Sequence, residues 1–89
     1  MNCNFPRYSA LSDAGQAEAC SRNTDPAVWL AINLLVDSMG GARGANEVWE
    51  NPTPAEWDWV RMCLGEWALH SDIKFGDFCW GDETITVEA

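Results

Sequence analysis

The chain reads as a compact, mainly α single domain over residues 1–89, with two main helices, a short N-terminal helix and an extended or hairpin-like C-terminal segment. Three observations lead there. Two proline-initiated helix starts, Asp25-Pro26 and Thr53-Pro54-Ala55-Glu56, each precede apolar residues at helical spacing. The composition is 47% hydrophobic with six tryptophans, which is the chemistry of a packed core and not of a disordered acidic tail. Near the end, Thr84-Ile85-Thr86-Val87 alternates with period two, which keeps an α+β architecture as the alternative. A chain of 89 residues buries roughly 60–65% of its unfolded surface, enough for one modest core. Trp29, Trp49, Trp57, Trp59, Trp67 and Trp80 are expected to supply much of it.

Phe5, Tyr8 and Leu11 form an irregular lead-in. Ser12 then serves as an N-cap with Asp13 in the first turn, opening a helix through Ala14, Ala17 and Ala19 to about Arg22. Its alanine face predicts close packing against another element. Asp25 and Pro26 stand at N-cap and N1 of the next helix, where proline loses no hydrogen bond. That helix is expected to run to Met39 and stop at Gly40-Gly41, since glycine accepts the left-handed C′ conformation. Val28, Ile32, Leu35 and Met39 share a stripe, Trp29 and Val36 flank it, and Leu30 and Leu34 lie nearly opposite. A helix apolar most of the way round is a buried one, so this is the central element.

Gly40 to Thr53 is a linker with a weak local element at Asn46-Glu47-Val48-Trp49-Glu50. Its string Gly40-Gly41-Ala42-Arg43-Gly44 lacks the lysine of a phosphate-binding loop and follows a helix instead of a strand. Thr53 to Glu56 is a capping box, and the helix it opens should continue to about His70. Trp57, Val60, Cys63, Leu64, Trp67 and Ala68 form its apolar face. Beyond it, Ile73-Lys74-Phe75 and Phe78-Cys79-Trp80 flank Gly76-Asp77, which fits a two-residue hairpin turn, with Thr84 to Val87 as a third strand. The rival is a short helix capped by Ser71 or Asp72.

Fourteen acidic residues stand against five basic ones, for a formal charge of −9. Such an excess does not specify a fold; it points to a partner whose binding site is positive. After Gly44, ten acids face only Arg61 and Lys74. Candidate partner-binding residues are therefore Glu47, Glu50, Glu56, Asp58, Glu66, Asp72, Asp77, Asp82 and Glu83. Trp59, Met62 and Leu69 join them, because they lie off the main apolar face of their helix beside Asp58 and Glu66. A tryptophan rimmed by carboxylates suits a basic, partly apolar surface, or a homodimer interface. Such a helix sandwiched on both sides within the fold would give the same pattern.

Catalytic chemistry finds little footing. The sole histidine, His70, is seven residues from Cys63, about 10 Å along a helix, beyond the reach of proton transfer. Cys63, His70 and Cys79 match no common zinc spacing, and no metal or other cofactor is expected. One small core leaves little room for a cleft with paired carboxylates. Arg7, Arg22, Arg43, Arg61 and Lys74 are scattered among carboxylates, which disfavours direct contact with nucleic acid. Anionic lipid would likewise repel this charge. Residues 1–10 hold no continuous apolar stretch, and the longest apolar run, Ala27 to Ile32, is far short of a bilayer span. A cytoplasmic location is expected, where Cys3, Cys20, Cys63 and Cys79 remain thiols.

In size, charge, scarcity of lysine and lack of catalytic motifs, the whole chain resembles the small acidic inhibitors of phages and mobile elements, including anti-CRISPR proteins. The resemblance is one of overall character and carries no residue roles with it. It implies a non-enzymatic protein that binds a nucleic-acid-handling defence complex stoichiometrically, with carboxylates imitating phosphates. An immunity protein or antitoxin against a nuclease-type toxin uses the same physics and is the first alternative. A small assembly or adaptor subunit is the next, and an enzyme ranks last.

Overall fold

Side-chain caps start three helices where the sequence places them: α1 (Asp13–Ser21) at Ser12, α2 (Pro26–Ser38) at Asp25, and α4 (Pro54–Leu69) at Thr53. The computed structural model describes Tyr8 and residues 11–88; Cys3, Phe5 and Arg7 lie outside the described residues. At Thr53 the capping box is complete. The Thr53 hydroxyl accepts from the Glu56 amide at 3.1 Å, and the Glu56 carboxylate accepts from the Thr53 amide at 2.9 Å. The weak element in the linker is a helical turn and a half, α3 (Ala45–Glu50), with Gly44 at its N-cap.

Three helices close in the same way. After α2 the Gly41 amide reaches the Val36 carbonyl and the Gly40 amide reaches Asp37, a Schellman pair with Gly40 at φ 68°. The same two bonds end α1, from Thr24 to Ala19 and from Asn23 to Cys20, and end α4, from Asp72 to Trp67 and from Ser71 to Ala68. Asn23 (φ 52°) and Ser71 (φ 65°) fill the left-handed position that glycine takes after α2. Residues 71–72 are thus spent closing α4.

That closure moves the hairpin. The strands are β1 (Gly76–Trp80) and β2 (Glu83–Val87), antiparallel, with Trp80 opposite Glu83 and Phe78 opposite Ile85. The turn is Gly81-Asp82, not Gly76-Asp77, and residues 73–75 form no strand. Both dipeptides suit a two-residue turn with glycine first, and Gly81 supplies the positive φ of 59°. The 81–82 turn wins because it pairs β1 with the alternating segment that follows it. Ile85 and Val87 are buried on the face that carries Trp80 and half-buried Phe78, while Thr84 and Thr86 face outward. The architecture is therefore four helices and one two-stranded hairpin among the described residues, the α+β form of a largely helical fold.

Helix α2 lies at the centre and packs against α1, α3, α4 and β1. Ala27, Val28, Trp29, Leu30, Ala31, Ile32 and Leu35 are buried, as a helix apolar nearly all round must be. Val60, Cys63, Leu64, Trp67 and Ala68 line the inner face of α4, with Ile85 and Val87 of β2 alongside. The alanine face expected on α1 is not its contact surface. Ala14 and Ala17 are exposed and only Ala19 is buried, while Leu11 folds over Gly15. Trp29, Trp67 and Trp80 belong to the core, but Trp49, Trp57 and Trp59 are only half-buried. Cys63 is fully buried, whereas Cys20 and Cys79 are exposed thiols. No helix among the described residues is long and apolar enough to cross a membrane.

Arg43 ties the linker to α4. Its guanidinium donates to the carbonyls of Glu47 (3.1 Å) and Asn51 (2.8 Å), near the C-terminal end of α3. Its Nε lies 3.0 Å from Glu56 Oε2, in ion-pair contact although not angled as a hydrogen bond.

Candidate functional site

A single buried hydroxyl organises the region where α1, α3 and the hairpin meet. Thr24, 5% exposed, follows α1 and pairs as an isolated bridge with Trp80. Its Oγ1 donates to the Arg22 carbonyl at 3.1 Å and accepts from the Trp49 indole at 2.7 Å and from the Gly81 amide at 3.1 Å. One donor and both lone pairs are thereby used. The Trp80 indole in turn donates to the Trp49 carbonyl at 2.9 Å. Trp49 also packs so closely over Gly81 that a Cβ there would sit 3.1 Å from its ring.

With its indole N–H bonded into the fold, half-buried Trp49 offers mainly ring surface to what lies outside, while Trp80, itself bonded to the Trp49 carbonyl, is a buried floor behind it. Trp57, in the first turn of α4, stacks on Trp80 with centroids 4.6 Å apart and planes 26° apart. Together the three rings line a groove of about 610 Å³. Glu50 at the end of α3, Asp82 in the turn and Glu83 at the start of β2 are exposed and line the same groove. Arg22 stands at its border. Its Nη1 is 2.7 Å from Glu18, its Nη2 bonds Asn46, and its guanidinium lies 4.5 Å over Trp29 and 5.7 Å from Trp49.

Charge is distributed unevenly as a result. Arg22 pairs with Glu18, Arg43 with Glu56 and Arg61 with Asp58 at 3.3 Å. Among the described residues no ion pair reaches Glu50, Asp82 or Glu83. The groove thus combines aromatic walls with a carboxylate rim that the protein's own cations leave uncompensated. Thr24→Val, which keeps shape but removes the hydroxyl, should strand two part-buried donors, the Trp49 indole and the Gly81 amide, and cost about 1–3 kcal/mol. Urea unfolding measures this, and a midpoint equal to the parent's would show that Thr24 does not hold the groove together.

The acids named from the sequence do not form one patch. Glu50, Asp82 and Glu83 gather at the groove. Asp58, Trp59, Met62, Glu66 and Leu69 lie along α4, where Met62 is 53% and Leu69 68% exposed and Trp59 is half-buried against the core. Met62 and Leu69 stand about 120–140° round the helix from Trp57, on another side of the molecule from the groove. Glu66 lies 3.6 Å from the His70 imidazole. Glu47 borders a second groove beside Glu18 and Asn46, and Asp72 is exposed past the end of α4. Asp77 accepts from the Thr86 hydroxyl across the hairpin at 2.8 Å.

Glu56 is the correction in this set. It is 6% exposed, committed to the capping box and to Arg43, so it offers no free carboxylate to a partner. A cap glutamate is ordinarily exposed; here the linker folds back over it and brings Arg43. Trp49, Trp57 and Trp80 as groove walls were not foreseen, because tryptophan density reads first as core. The signal was present as groove acids close behind two of the three aromatics, in Trp49-Glu50 and Trp80-Gly81-Asp82-Glu83. Among the described residues no three His, Cys, Asp or Glu side chains are grouped to hold a metal ion. Comparison with protein-family models, curated proteins and solved structures finds no match for this chain.

Proposed function

We propose that this protein is a non-enzymatic inhibitor that acts in the host-cell cytoplasm by covering a basic, nucleic-acid-binding site on a defence or nuclease complex. The observation that carries this reading is the uneven pairing of charge. Arg22, Arg43 and Arg61 are each held by a carboxylate of the same chain, while Glu50, Asp72, Asp82 and Glu83 are exposed and form no ion pair among the described residues. A compact body with outward carboxylates suits a site built for phosphates. Complementary charge also raises association rates by orders of magnitude at low salt.

The test uses the target captured from cells carrying candidate defence systems. Affinity should fall steeply as salt rises, since screening weakens exposed charge pairs. Nucleic acid should compete for the same site. Asp72→Lys, Asp82→Lys and Glu83→Lys together should slow association about tenfold, and because all three side chains are exposed the fold stays intact. A triple variant that binds and inhibits like the parent, or simultaneous binding of nucleic acid and inhibitor, would overturn the reading. The exposure of Met62 and Leu69 favours a second reading in which the outer face of α4 pairs with another copy. Light scattering on the eluted protein decides between monomer and dimer.

A further inference from the structure

We propose that the groove walled by Trp49 and Trp57 over buried Trp80 takes an arginine side chain presented by a basic segment of the protein partner. The inference rests on the function proposed above and names where a partner cation would be read individually. An arginine guanidinium is flat, weakly hydrated and able to stack on an indole while donating two parallel hydrogen bonds to a carboxylate. The groove holds both halves of that recognition. Its open ring surface comes from half-buried Trp49 and Trp57, backed by buried Trp80, and the N–H edges of Trp49 and Trp80 are already bonded within the fold. Its rim is Glu50, Asp82 and Glu83, acceptors that no cation of the described chain reaches.

The protein already contains one instance of this arrangement. Arg22 lies 4.5 Å over the face of Trp29 with its Nη1 2.7 Å from Glu18. Because Arg22 is neutralised by Glu18 and held by Asn46, it does not serve as a free anion site at the groove border. Three rim carboxylates would in any case repel an anion. Charge complementarity therefore selects a cation, and the flat aromatic walls select guanidinium over the compact, strongly hydrated ammonium of lysine.

The probe is a capped tri-arginine peptide, with tri-lysine and tri-citrulline peptides for comparison, titrated into the whole protein at low salt. Indole N–H resonances report the site. Tri-arginine should move Trp49, Trp57 and Trp80 in a saturable way and leave Trp59, about 200° round α4 from Trp57, in place. Tri-citrulline, which has the shape without the charge, should bind at least about tenfold more weakly, and tri-lysine should fall between them. Glu50→Gln, Asp82→Asn and Glu83→Gln together should weaken tri-arginine at least about fivefold, and since all three side chains are exposed the fold is retained. The proposal is overturned if tri-citrulline binds as well as tri-arginine, if the neutralised rim binds like the parent, or if the shifts centre on Trp59. Peptide binding in the groove, with a target that nucleic acid does not contest, would keep this inference and remove the inhibitor reading. Loss of peptide binding with competition intact would do the reverse.

Discussion

Replacing Trp67 by alanine is expected to cost about 3–5 kcal/mol, as truncation of a fully buried tryptophan does. Trp67 is 1% exposed on the inner face of α4, the largest of the fully buried side chains. Tyr8 meets it edge-on at a centroid distance of 5.1 Å, so the indole also holds the Tyr8 ring. Alanine would remove most of a ring system and leave a void between packed helices that cannot collapse fully. Domains of this size have total stabilities of about 5–15 kcal/mol, so the variant should be marginal or unfolded at ambient temperature. Denaturant unfolding followed by circular dichroism gives the number. Met62→Ala on the exposed side of the same helix is the control and should shift stability by less than about 0.5 kcal/mol. If Trp67→Ala unfolds at the parent's midpoint, the inner face of α4 is wrongly placed.

Glu56→Lys is expected to cost about 3–5 kcal/mol, while Asp58→Lys, two residues along, should cost less than about 1 kcal/mol. On sequence the two acids look alike. In the fold, Glu56 Oε1 accepts from the Thr53 amide at 2.9 Å and Oε2 lies 3.0 Å from Arg43 Nε, with the side chain 8% exposed. Lysine would break the cap, set two cations together in a poorly solvated place and put positive charge at a helix N-terminus. Glu56→Gln separates the contributions, because an amide oxygen can keep the capping-box bond while Arg43 loses its counter-charge. Its cost should fall between the other two. Asp58 is 60% exposed and pairs only with exposed Arg61, so its reversal disturbs little. Equal unfolding midpoints for Glu56→Lys and Asp58→Lys would refute the clamp formed by Arg43 and Glu56.

The contrast between these two acids shows how far residue pattern reaches in this protein. The starts of α1, α2 and α4 were legible from Ser12, Asp25-Pro26 and Thr53-Pro54-Ala55-Glu56, and the end of α2 from Gly40-Gly41. Each of those signals acts between groups within about five residues, through bonds that any such segment can make. The central, buried character of α2 was also legible, since an all-round apolar helix has no other stable place.

The candidate site depends on bonds of another range. Trp49 to Thr24 spans 25 residues, Trp80 to Trp49 spans 31, and Gly81 to Thr24 spans 57. No local preference encodes them. The choice between two Gly-Asp dipeptides as the hairpin turn was likewise a tertiary decision, made by the demand to bury Ile85 and Val87 beside Trp80. The sequence alone determined a small acidic domain with its helix ends and its central helix, because caps and amphipathicity are local. Only the tertiary structure decided which carboxylate is buried, which tryptophans become a wall and which acids surround it, because those outcomes follow from packing between elements far apart in the chain.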